Sequence, residues 1–243
     1  MDLQQDLTDE ERDLLKTVRP FTLTSVEEML ALIDAVSYVE KNQIPGAIVE
    51  CGVWRGGMMM LAAELLVRLD STDRKLYLYD AFKGMPPASE EDIRFDGRTT
   101  EEVKAIEGVK REWCLASMDE VRSNLISTGY PADKVHIVEG YVEDTLPSDA
   151  PDAISILRLD TDWYASTKHE LTHLYPRVVP GGVLIVDDYG YWKGSKKAVD
   201  EYFAENGSPH PLLQRIDLAG RLVVKSGVPR SSHAPPLEPA EDR

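Results

Sequence analysis

The stretch AIVECGVWRGG, residues 47–57, decides the fold of this chain. It begins with the short apolar run Ala47-Ile48-Val49, which is typical of a buried strand, and continues into a turn rich in glycine. An apolar helix is predicted to follow from Met58 to about Leu69. A buried strand, a glycine-rich turn and a helix in this order form the first unit of an α/β domain.

The same alternation continues toward the carboxyl terminus. Further strands are predicted at 76–80, 135–138, 154–159 and 183–186, and helices through Val121 and Leu125, from Tyr164 to Val178 and from about Lys196 to Glu205. A long polar segment runs from about Gly84 to Gly108. Continuous apolar strands that alternate with helices predict an α/β fold with a doubly wound, mostly parallel sheet covered on both faces.

The two ends of the chain differ from this central pattern. Ser25-Val26-Glu27-Glu28 is a capping box that predicts the start of a helix, so residues 1–45 are expected to form a helical N-terminal cap. Residues 214–217 and 221–225 flank Leu218-Ala219-Gly220, which predicts a C-terminal antiparallel hairpin at the sheet edge. We expect a single domain over residues 1–225 and, because residues 226–243 are polar and rich in proline, a disordered tail.

Composition favours a soluble chain that acts on a small molecule. Of the 243 residues, 42% are hydrophobic and 29% are charged, and the formal net charge is -16. This charge repels phosphate groups, so nucleic acid and anionic membranes are disfavoured as partners. Cys51 and Cys114 lack the close spacing of a metal knuckle or a redox pair, and no charged and then apolar leader opens the sequence. We therefore expect a cytoplasmic protein with a small-molecule partner.

Four aspartates follow two apolar runs. Asp160 and Asp162 close AISILRLDTD, and Asp187 and Asp188 follow GGVLIV. Carboxylates beside apolar residues are costly unless a cation or hydrogen-bond donors compensate them. Two such pairs at strand ends predict a shared ligand, and the simplest candidate is a hard divalent ion such as magnesium. The alternative is that these side chains cap helices and bind water.

The turn after the first strand is placed to bind a nucleoside, because ligands of open α/β sheets lie beyond the carboxyl ends of the strands. Val-Trp-Arg separates its glycines, so the dinucleotide pattern G-x-G-x-x-G is not reproduced. Glu50 precedes the turn and Asp80 ends the second strand, where an acid commonly accepts from ribose hydroxyls. A nucleoside with an amino-acid tail fits better than a pyrophosphate. The alternative is that Glu50 caps a helix and Asp80 is a solvated strand end.

Seven runs resemble successive motifs of the macrocin O-methyltransferase (TylF/MycF/NovP-like) family. They are PFTLTS (20–25), IPGAIVECGVWRGG (44–57), LYLYDAFKGMP (76–86), VEGYVEDTLP (138–147), LRLDTDWYAST (157–167), YPRVVPGG (175–182) and VDDYGYWKGSKKAVDEYF (186–203). The resemblance implies a Rossmann-like class I methyltransferase fold. It also implies S-adenosylmethionine-dependent methylation of a sugar hydroxyl of an antibiotic glycoside, with bound magnesium.

By position, the resemblance implies three sets of site residues. The donor set is Thr22, Leu23, Glu50, Cys51, Gly52, Val53, Trp54, Asp80, Ala81, Phe82, Lys83, Gly84, Gly140 and Tyr141. The ion set is Asp160, Asp187 and Asp188, and Asp162 corresponds to the general base. Family members associate through N-terminal caps, so the resemblance further implies a homo-oligomer, a dimer or higher.

The implied chemistry explains these residue types. Methyl transfer from a sulfonium to an alcohol is an in-line displacement, and a sugar hydroxyl is a poor nucleophile until its proton leaves. Magnesium held by three carboxylates lowers the pKa of the hydroxyl and orients it toward the methyl carbon. Asp162 lies two residues beyond Asp160, so one carboxylate is expected to face the ion and the other the substrate.

The sequence offers three other interpretations. His169-Glu170-Leu171-Thr172-His173 matches the zinc-protease pattern H-E-x-x-H, but a helical projection places both histidines opposite the core stripe. Asp160-Thr161-Asp162 with a later acidic pair matches a magnesium-dependent phosphohydrolase in outline, although three βα units precede it. A donor-binding scaffold without catalysis would have lost some of the four aspartates, and all are present.

The sequence specifies the reaction more closely than the molecule that accepts the methyl group. The polar segment from Gly84 to Gly108 is expected to shape its pocket. The expected acceptor is a natural-product glycoside, and the alternatives are a nucleotide sugar or a non-sugar hydroxyl.

Overall fold

A seven-stranded sheet organises the computed structural model, which describes residues 7–107, 114–206 and 210–227. The strands are β1 (Ala47–Cys51), β2 (Leu76–Asp80), β3 (Val135–Glu139), β4 (Ile154–Leu159), β5 (Val178–Val186), β6 (Gln214–Arg215) and β7 (Arg221–Val224). Their order across the sheet is β3-β2-β1-β4-β5-β7-β6. β1 to β5 are parallel, and β7 pairs antiparallel with β5 and β6. The predicted mostly parallel sheet and the C-terminal antiparallel hairpin are therefore confirmed.

Helices cover both faces of the sheet. In the described residues they are α1 (Asp9–Val18), α2 (Val26–Lys41), α3 (Gly57–Arg68), α4 (Thr100–Glu107), α5 (Met118–Ser127), α6 (Val142–Thr145), α7 (Tyr164–His173) and α8 (Lys193–Glu205). Side chains of α1, α2, α3 and α5 pack in one apolar cluster with alternate residues of the strands, such as Ile48 and Ile156. Side chains of α6, α7 and α8 pack in a second cluster with Val49 and Leu157. This alternation is why the central strands are apolar throughout.

The strand order reverses between β1 and β4, which are neighbours although two strands separate them in sequence. A crevice forms at such a switch point beyond the carboxyl ends of the strands. Glu50 of β1 lies in register with Arg158 of β4, on the face that the N-terminal helices cover. The topology therefore places two charged side chains side by side directly below the crevice.

The N-terminal helices begin as their sequences indicate. Thr8 caps α1 in a full capping box, since its side chain accepts from Glu11 N and the Glu11 side chain accepts from Thr8 N. Ser25 caps α2 by accepting from Glu28 N at 3.1 Å. The Glu28 side chain does not complete a second box, however, because it turns into the protein and is 1% exposed.

Several predicted boundaries were wrong. The helix predicted from Tyr164 to Val178 ends at His173, and a 3-10 turn at Tyr175–Arg177 follows, because Pro176 has no N–H to continue an α-helix. β5 consequently begins at Val178 rather than at residue 183. The polar segment contains α4, which hydrophobic periodicity does not reveal because most of its described residues face solvent.

Two further points concern the predicted C-terminal tail and membrane-spanning helices. Most of the predicted disordered tail, residues 228–243, lies outside the described residues. Within the described ranges, no helix combines the length and apolar character that a membrane span requires.

Candidate active site

A pocket of about 490 Å³ opens at the carboxyl ends of β1, β2, β4 and β5. It is lined by eleven of the fourteen predicted donor residues: Thr22, Leu23, Glu50, Gly52, Val53, Trp54, Asp80, Ala81, Gly84, Gly140 and Tyr141. The predicted ion ligands and the predicted base line it as well. The structure therefore brings residues from all three predicted sets to one cavity.

The remaining three residues of the predicted donor set lie away from the pocket lining. Cys51 is fully buried in the apolar cluster on the opposite face of the sheet. Phe82 packs against the first apolar cluster, and Lys83 is exposed. Their role in donor binding stays a prediction from the family resemblance.

Asp80 organises the donor side of the pocket. Its Oδ2 accepts hydrogen bonds from the backbone N–H groups of Val53 at 2.9 Å and Trp54 at 3.0 Å. Its Oδ1 accepts from Phe82 N at 2.8 Å. Burial raises the pKa of Asp80, although these three donors oppose the rise. One carboxylate thus fixes both the turn after β1 and the turn after β2.

Gly52 allows the turn after β1, which carries predicted donor residues, to contact the loop after β4. Its φ is 79°, in the left-handed region that favours glycine. A Cβ at this position would lie 1.9 Å from the carbonyl oxygen of Asp160, which is backbone and has no room to move. Contact between the donor turn and the Asp160 loop therefore requires glycine here.

Asp160, Asp187 and Asp188 form an acidic group between the ends of β4 and β5. One carboxylate oxygen from each lies within 4.8 Å of the others. Asp188 is 7% exposed, and its Oδ2 has no hydrogen-bond partner among the described residues. Burial raises the pKa of Asp188, and the charges of Asp162 and Asp187 raise it further. A buried oxygen without a partner, beside two more oxygen ligands, fits a hard divalent ion.

Asp162 lies beside this group with its backbone in the left-handed region, at φ 64°. Aspartate and asparagine tolerate that region better than most residues. Oδ1 accepts a hydrogen bond of 2.8 Å from Nε1 of Trp192. Burial raises the pKa of Asp162 to about 6, although hydrogen bonds from Asp188 and Trp192 oppose the rise. At neutral pH its carboxylate is therefore mostly ionised and able to accept a proton.

Arg158 is a site residue that the sequence did not single out. It occupies a strand position, is 2% exposed, and points between the donor side and the acidic group. Nη1 donates to Glu50 Oε1 at 2.6 Å and to Asp160 Oδ2 at 2.7 Å. Burial disfavours its charged form, but the surrounding carboxylates outweigh this and keep the pKa of Arg158 above its usual value.

Glu28 is a second residue that sequence reasoning assigned differently, as part of a capping box. Its Oε2 lies 3.7 Å from Nη2 of Arg158. Burial, and then the neighbouring charge of Asp187, raises the pKa of Glu28 to about 11, so this carboxyl group is protonated at neutral pH. Gly220 of the hairpin loop packs directly against it, since a Cβ there would lie 2.2 Å from Glu28 Oε1. The N-terminal cap therefore contributes a buried acid to the site.

The segment between β2 and α4 is anchored to the site by Asp92. Asp92 Oδ1 accepts from Tyr164 N, at the start of α7, at 2.7 Å, and Oδ2 accepts from Ser89 N at 2.7 Å. Phe95 N donates to Tyr191 O at 2.9 Å, and the two rings contact edge to face with centroids 6.0 Å apart. Because Tyr191 lines the pocket, this segment lies at the pocket mouth, and its role in shaping the acceptor pocket stays a prediction.

Comparison with known proteins identifies this arrangement. The family model described as macrocin-O-methyltransferase (TylF) matches residues 4–224. The chain belongs to this family. A family match over most of the chain, together with named O-methyltransferases among the relatives, makes it an O-methyltransferase of the S-adenosylmethionine-dependent class.

The TylF-family relatives match most of the chain. This chain is 36% identical over 204 residues to demethyldecarbamoylnovobiocin O-methyltransferase of Streptomyces niveus, and the match covers 84% of this chain and 71% of that enzyme. It is 32% identical over 201 residues to 8-demethyl-8-(2,3-dimethoxy-alpha-L-rhamnosyl)-tetracenomycin-C 4'-O-methyltransferase of Streptomyces olivaceus, covering 82% and 73%. The solved structure of the O-methyltransferase NovP superposes with a TM-score of 0.74 at 34% identity, covering 85% of this chain and 82% of NovP.

TylF-family membership removes the phosphohydrolase and non-enzymatic interpretations, and the geometry gives no support to the zinc interpretation. The rings of His169 and His173 contact each other at a tilted angle of 54°, with centroids 4.3 Å apart, on a half-buried face of α7. Glu170 points the other way and accepts from Thr161 Oγ1 at 3.0 Å below the pocket. In the described ranges, the three aspartates are the group of side chains that could hold a metal ion, and neither histidine belongs to it.

Proposed function

We propose that this enzyme methylates a sugar hydroxyl of a natural-product glycoside, with magnesium as the metal and Asp162 as the general base. The observation that carries the proposal is the position of Asp162, which lines one pocket together with the donor turn and the acidic group. Bound S-adenosylmethionine supplies an electrophilic methyl group, and magnesium held by Asp160, Asp187 and Asp188 supplies positive charge that lowers the pKa of the hydroxyl.

The residues of the chain have separate tasks in this proposal. Asp162 accepts the hydroxyl proton on its carboxylate, and Trp192 holds Oδ1 of that carboxylate in place through its indole N–H. Asp80 holds the turn after β1 through hydrogen bonds from Val53 N and Trp54 N, and the turn after β2 through one from Phe82 N. Leu23 and Tyr141 flank the pocket and help to exclude water from the reacting groups.

The charge of the pocket favours a glycoside over a nucleotide sugar. Its described lining contains nine carboxyl groups and no lysine, arginine or histidine: Glu28, Glu50, Asp80, Glu143, Asp160, Asp162, Asp187, Asp188 and Asp217. Such a lining attracts a sulfonium donor and a divalent ion, whereas it repels a diphosphate. One relative is named for an acceptor that carries a rhamnosyl group, which supports a sugar hydroxyl as the target.

A methyl-transfer screen tests the proposal. The purified protein is incubated with S-adenosylmethionine and a panel of deoxysugar glycosides, the matching thymidine-diphosphate sugars and catechols, with magnesium or with EDTA. We expect methylated glycoside by mass spectrometry, at least about tenfold less product from the nucleotide sugar because of like-charge repulsion, and loss of product in EDTA. Transfer that continues in EDTA contradicts the metal assignment, and transfer only to catechols contradicts the sugar assignment.

A further inference from the structure

Arg158 contacts two functional regions of the pocket with a single guanidinium group. On the donor side, Nη1 donates to Glu50 Oε1 at 2.6 Å and Nη2 donates to Thr24 Oγ1 at 2.9 Å. On the ion side, Nη1 donates to Asp160 Oδ2 at 2.7 Å and Nη2 donates to Asp187 Oδ2. Each of the two terminal nitrogens therefore has one acceptor on each side.

We propose that Arg158 is a positioning residue that couples donor binding to divalent-ion binding. The inference rests on the proposed function, because it takes Asp160 and Asp187 as ion ligands and Glu50 as a donor residue. Thr24 belongs to the segment between α1 and α2 that lines the donor side, so the coupling extends to the edge of the N-terminal cap.

The direction of the coupling follows from the distribution of charge. Without an ion, the single positive charge of Arg158 is shared among Glu50, Asp160 and Asp187, so each of these carboxylates receives only part of its compensation. A divalent ion takes over the neutralisation of Asp160 and Asp187. Arg158 is then held more strongly by Glu50 and Thr24, which fixes the donor side in one geometry. Ion binding is therefore expected to tighten donor binding, and by linkage the donor tightens ion binding by the same factor.

Burial makes this arrangement depend on whether the side chain at position 158 is an arginine or a lysine. Arg158 and Glu50 are 2% and 1% exposed, so water screens their interaction very little. A lysine carries the same charge, but its single ammonium group does not span four acceptors in the planar geometry of a guanidinium. The Arg158→Lys variant therefore keeps most of the charge balance while it breaks the connection between the two sides.

The chain offers a matched control in Arg74. This side chain is 11% exposed and also joins several acceptors, among them Glu40 and Ser155, but it lies at the amino ends of the strands. Arg74→Lys makes the same chemical change far from the pocket. This variant therefore shows how much stability an arginine-to-lysine change costs when the pocket is not affected.

The test measures binding by isothermal titration calorimetry rather than turnover. The affinity of the full chain for S-adenosylhomocysteine is determined in EDTA and at saturating magnesium, and the affinity for magnesium is determined with and without S-adenosylhomocysteine. In the wild type and in Arg74→Lys we expect magnesium to tighten S-adenosylhomocysteine binding by about fivefold or more. In Arg158→Lys we expect a factor below about two, with both ligands still bound.

The outcomes separate a failure of the proposed function from a failure of the coupling through Arg158. A wild-type protein that fails to bind S-adenosylhomocysteine or magnesium refutes the proposed function itself, and the coupling falls with it. If both ligands bind, a wild-type factor near one, or an undiminished factor in Arg158→Lys, overturns the coupling alone. If Arg158→Lys does not fold, Glu50→Gln decides: a factor that stays at the wild-type value in this nearly isosteric variant overturns the coupling.

Discussion

Two arginines, the buried Arg158 and the largely buried Arg74, lie at opposite ends of the same sheet and differ in what surrounds them. Arg74, at the amino ends of the strands, pairs with one carboxylate, Glu40, and otherwise donates to neutral acceptors such as Gly46 O and Ser155 Oγ. Arg158, at the carboxyl ends, lies beside four carboxyl groups: Glu28, Glu50, Asp160 and Asp187. One acidic group thus faces the arginine at the amino end, whereas acidic groups outnumber the arginine at the carboxyl end.

The difference indicates that the amino ends of the strands contribute to the stability of the fold, whereas the carboxyl ends carry acidic groups suited to a positively charged ligand. Burying carboxylates in excess of their cations costs free energy unless something else compensates them. At the amino end the protein itself supplies the compensation. At the carboxyl end, the proposed function assigns this compensation to a positively charged donor and a divalent ion. Substitutions at the two ends should therefore affect different measurements.

The largest expected effect is on turnover at the carboxyl end. Asp162→Asn removes the proton acceptor while asparagine keeps the left-handed backbone and can still accept from Trp192. We expect kcat to fall by about 10²- to 10⁴-fold, the usual contribution of a general base. Binding of S-adenosylhomocysteine should be unchanged by calorimetry. Asp152→Asn, an exposed change before β4 at the amino end, is the control that keeps full activity; wild-type kcat in Asp162→Asn rules out the base assignment.

The second largest effect is on stability at the amino end. Arg74→Met leaves Glu40 without its cation in a largely buried setting and removes three further contacts. We expect the free energy of unfolding, measured in urea, to fall by about 3 kcal/mol. The affinity for S-adenosylhomocysteine should remain at the wild-type value. A large loss of affinity without loss of stability would show that the two ends are not separate in the way the comparison states.

The third expected effect is a dependence of the free energy of unfolding on pH, which arises from Glu50 at the carboxyl end. Burial raises the pKa of Glu50 to about 7, and this outweighs the ion pair with Arg158. Because the folded-state pKa lies above the unfolded value of about 4.3, the folded protein binds more protons in this range. The stability contributed by protonated Glu50 is therefore lost as the pH rises from about 4.3 through 7.

Thermal unfolding in EDTA measures this dependence. We expect Tm of the wild type to fall between pH 5 and pH 8, and Glu50→Gln to flatten the curve because glutamine does not titrate. Parallel curves for the wild type and Glu50→Gln would contradict the assigned pKa.

The smallest effect concerns the hydrogen bond to the base. Trp192→Phe removes the indole N–H that Asp162 accepts and keeps an aromatic ring against Trp163. Loss of a donor raises the pKa of Asp162 above about 6, so the acid limb of the pH–rate profile should move to higher pH. We expect kcat at neutral pH to fall by less than about tenfold. Trp163→Phe, which loses a bond to Pro86 O instead, should leave the limb in place.

The sheet and the aspartates were predictable because their signals are local. Apolar runs that end in Asp80, Asp160 or Asp187 place acids at strand ends, and in a parallel sheet those ends meet at one edge. The family resemblance then indicated roles for them. Eleven of the fourteen predicted donor residues line the pocket, and apart from Thr22 and Leu23 they lie at or just beyond strand ends.

Arg158 and Glu28 were not predictable in the same way. An arginine inside a strand pattern indicates an exposed position, and only the register with Glu50 shows that its neighbour is an acid. Ser25-Val-Glu-Glu28 has the local pattern of a capping box, but tertiary burial turns the Glu28 side chain inward. Local pattern determines where an element begins, whereas long-range packing determines which way a charged side chain points.

The anchoring of the segment around Asp92 has a consequence for enzyme engineering. Asp92 fixes the segment to α7, and the backbone of Ile93 and Phe95 pairs with residues 191–193, so its position does not depend on its tip. The tip itself is a tight turn in which Arg94 N donates to Arg98 O at 2.9 Å, and Phe95 is 59% exposed. Residues 96–98 therefore form a short turn that variant libraries can exchange while the contacts that anchor the segment at the pocket mouth are kept.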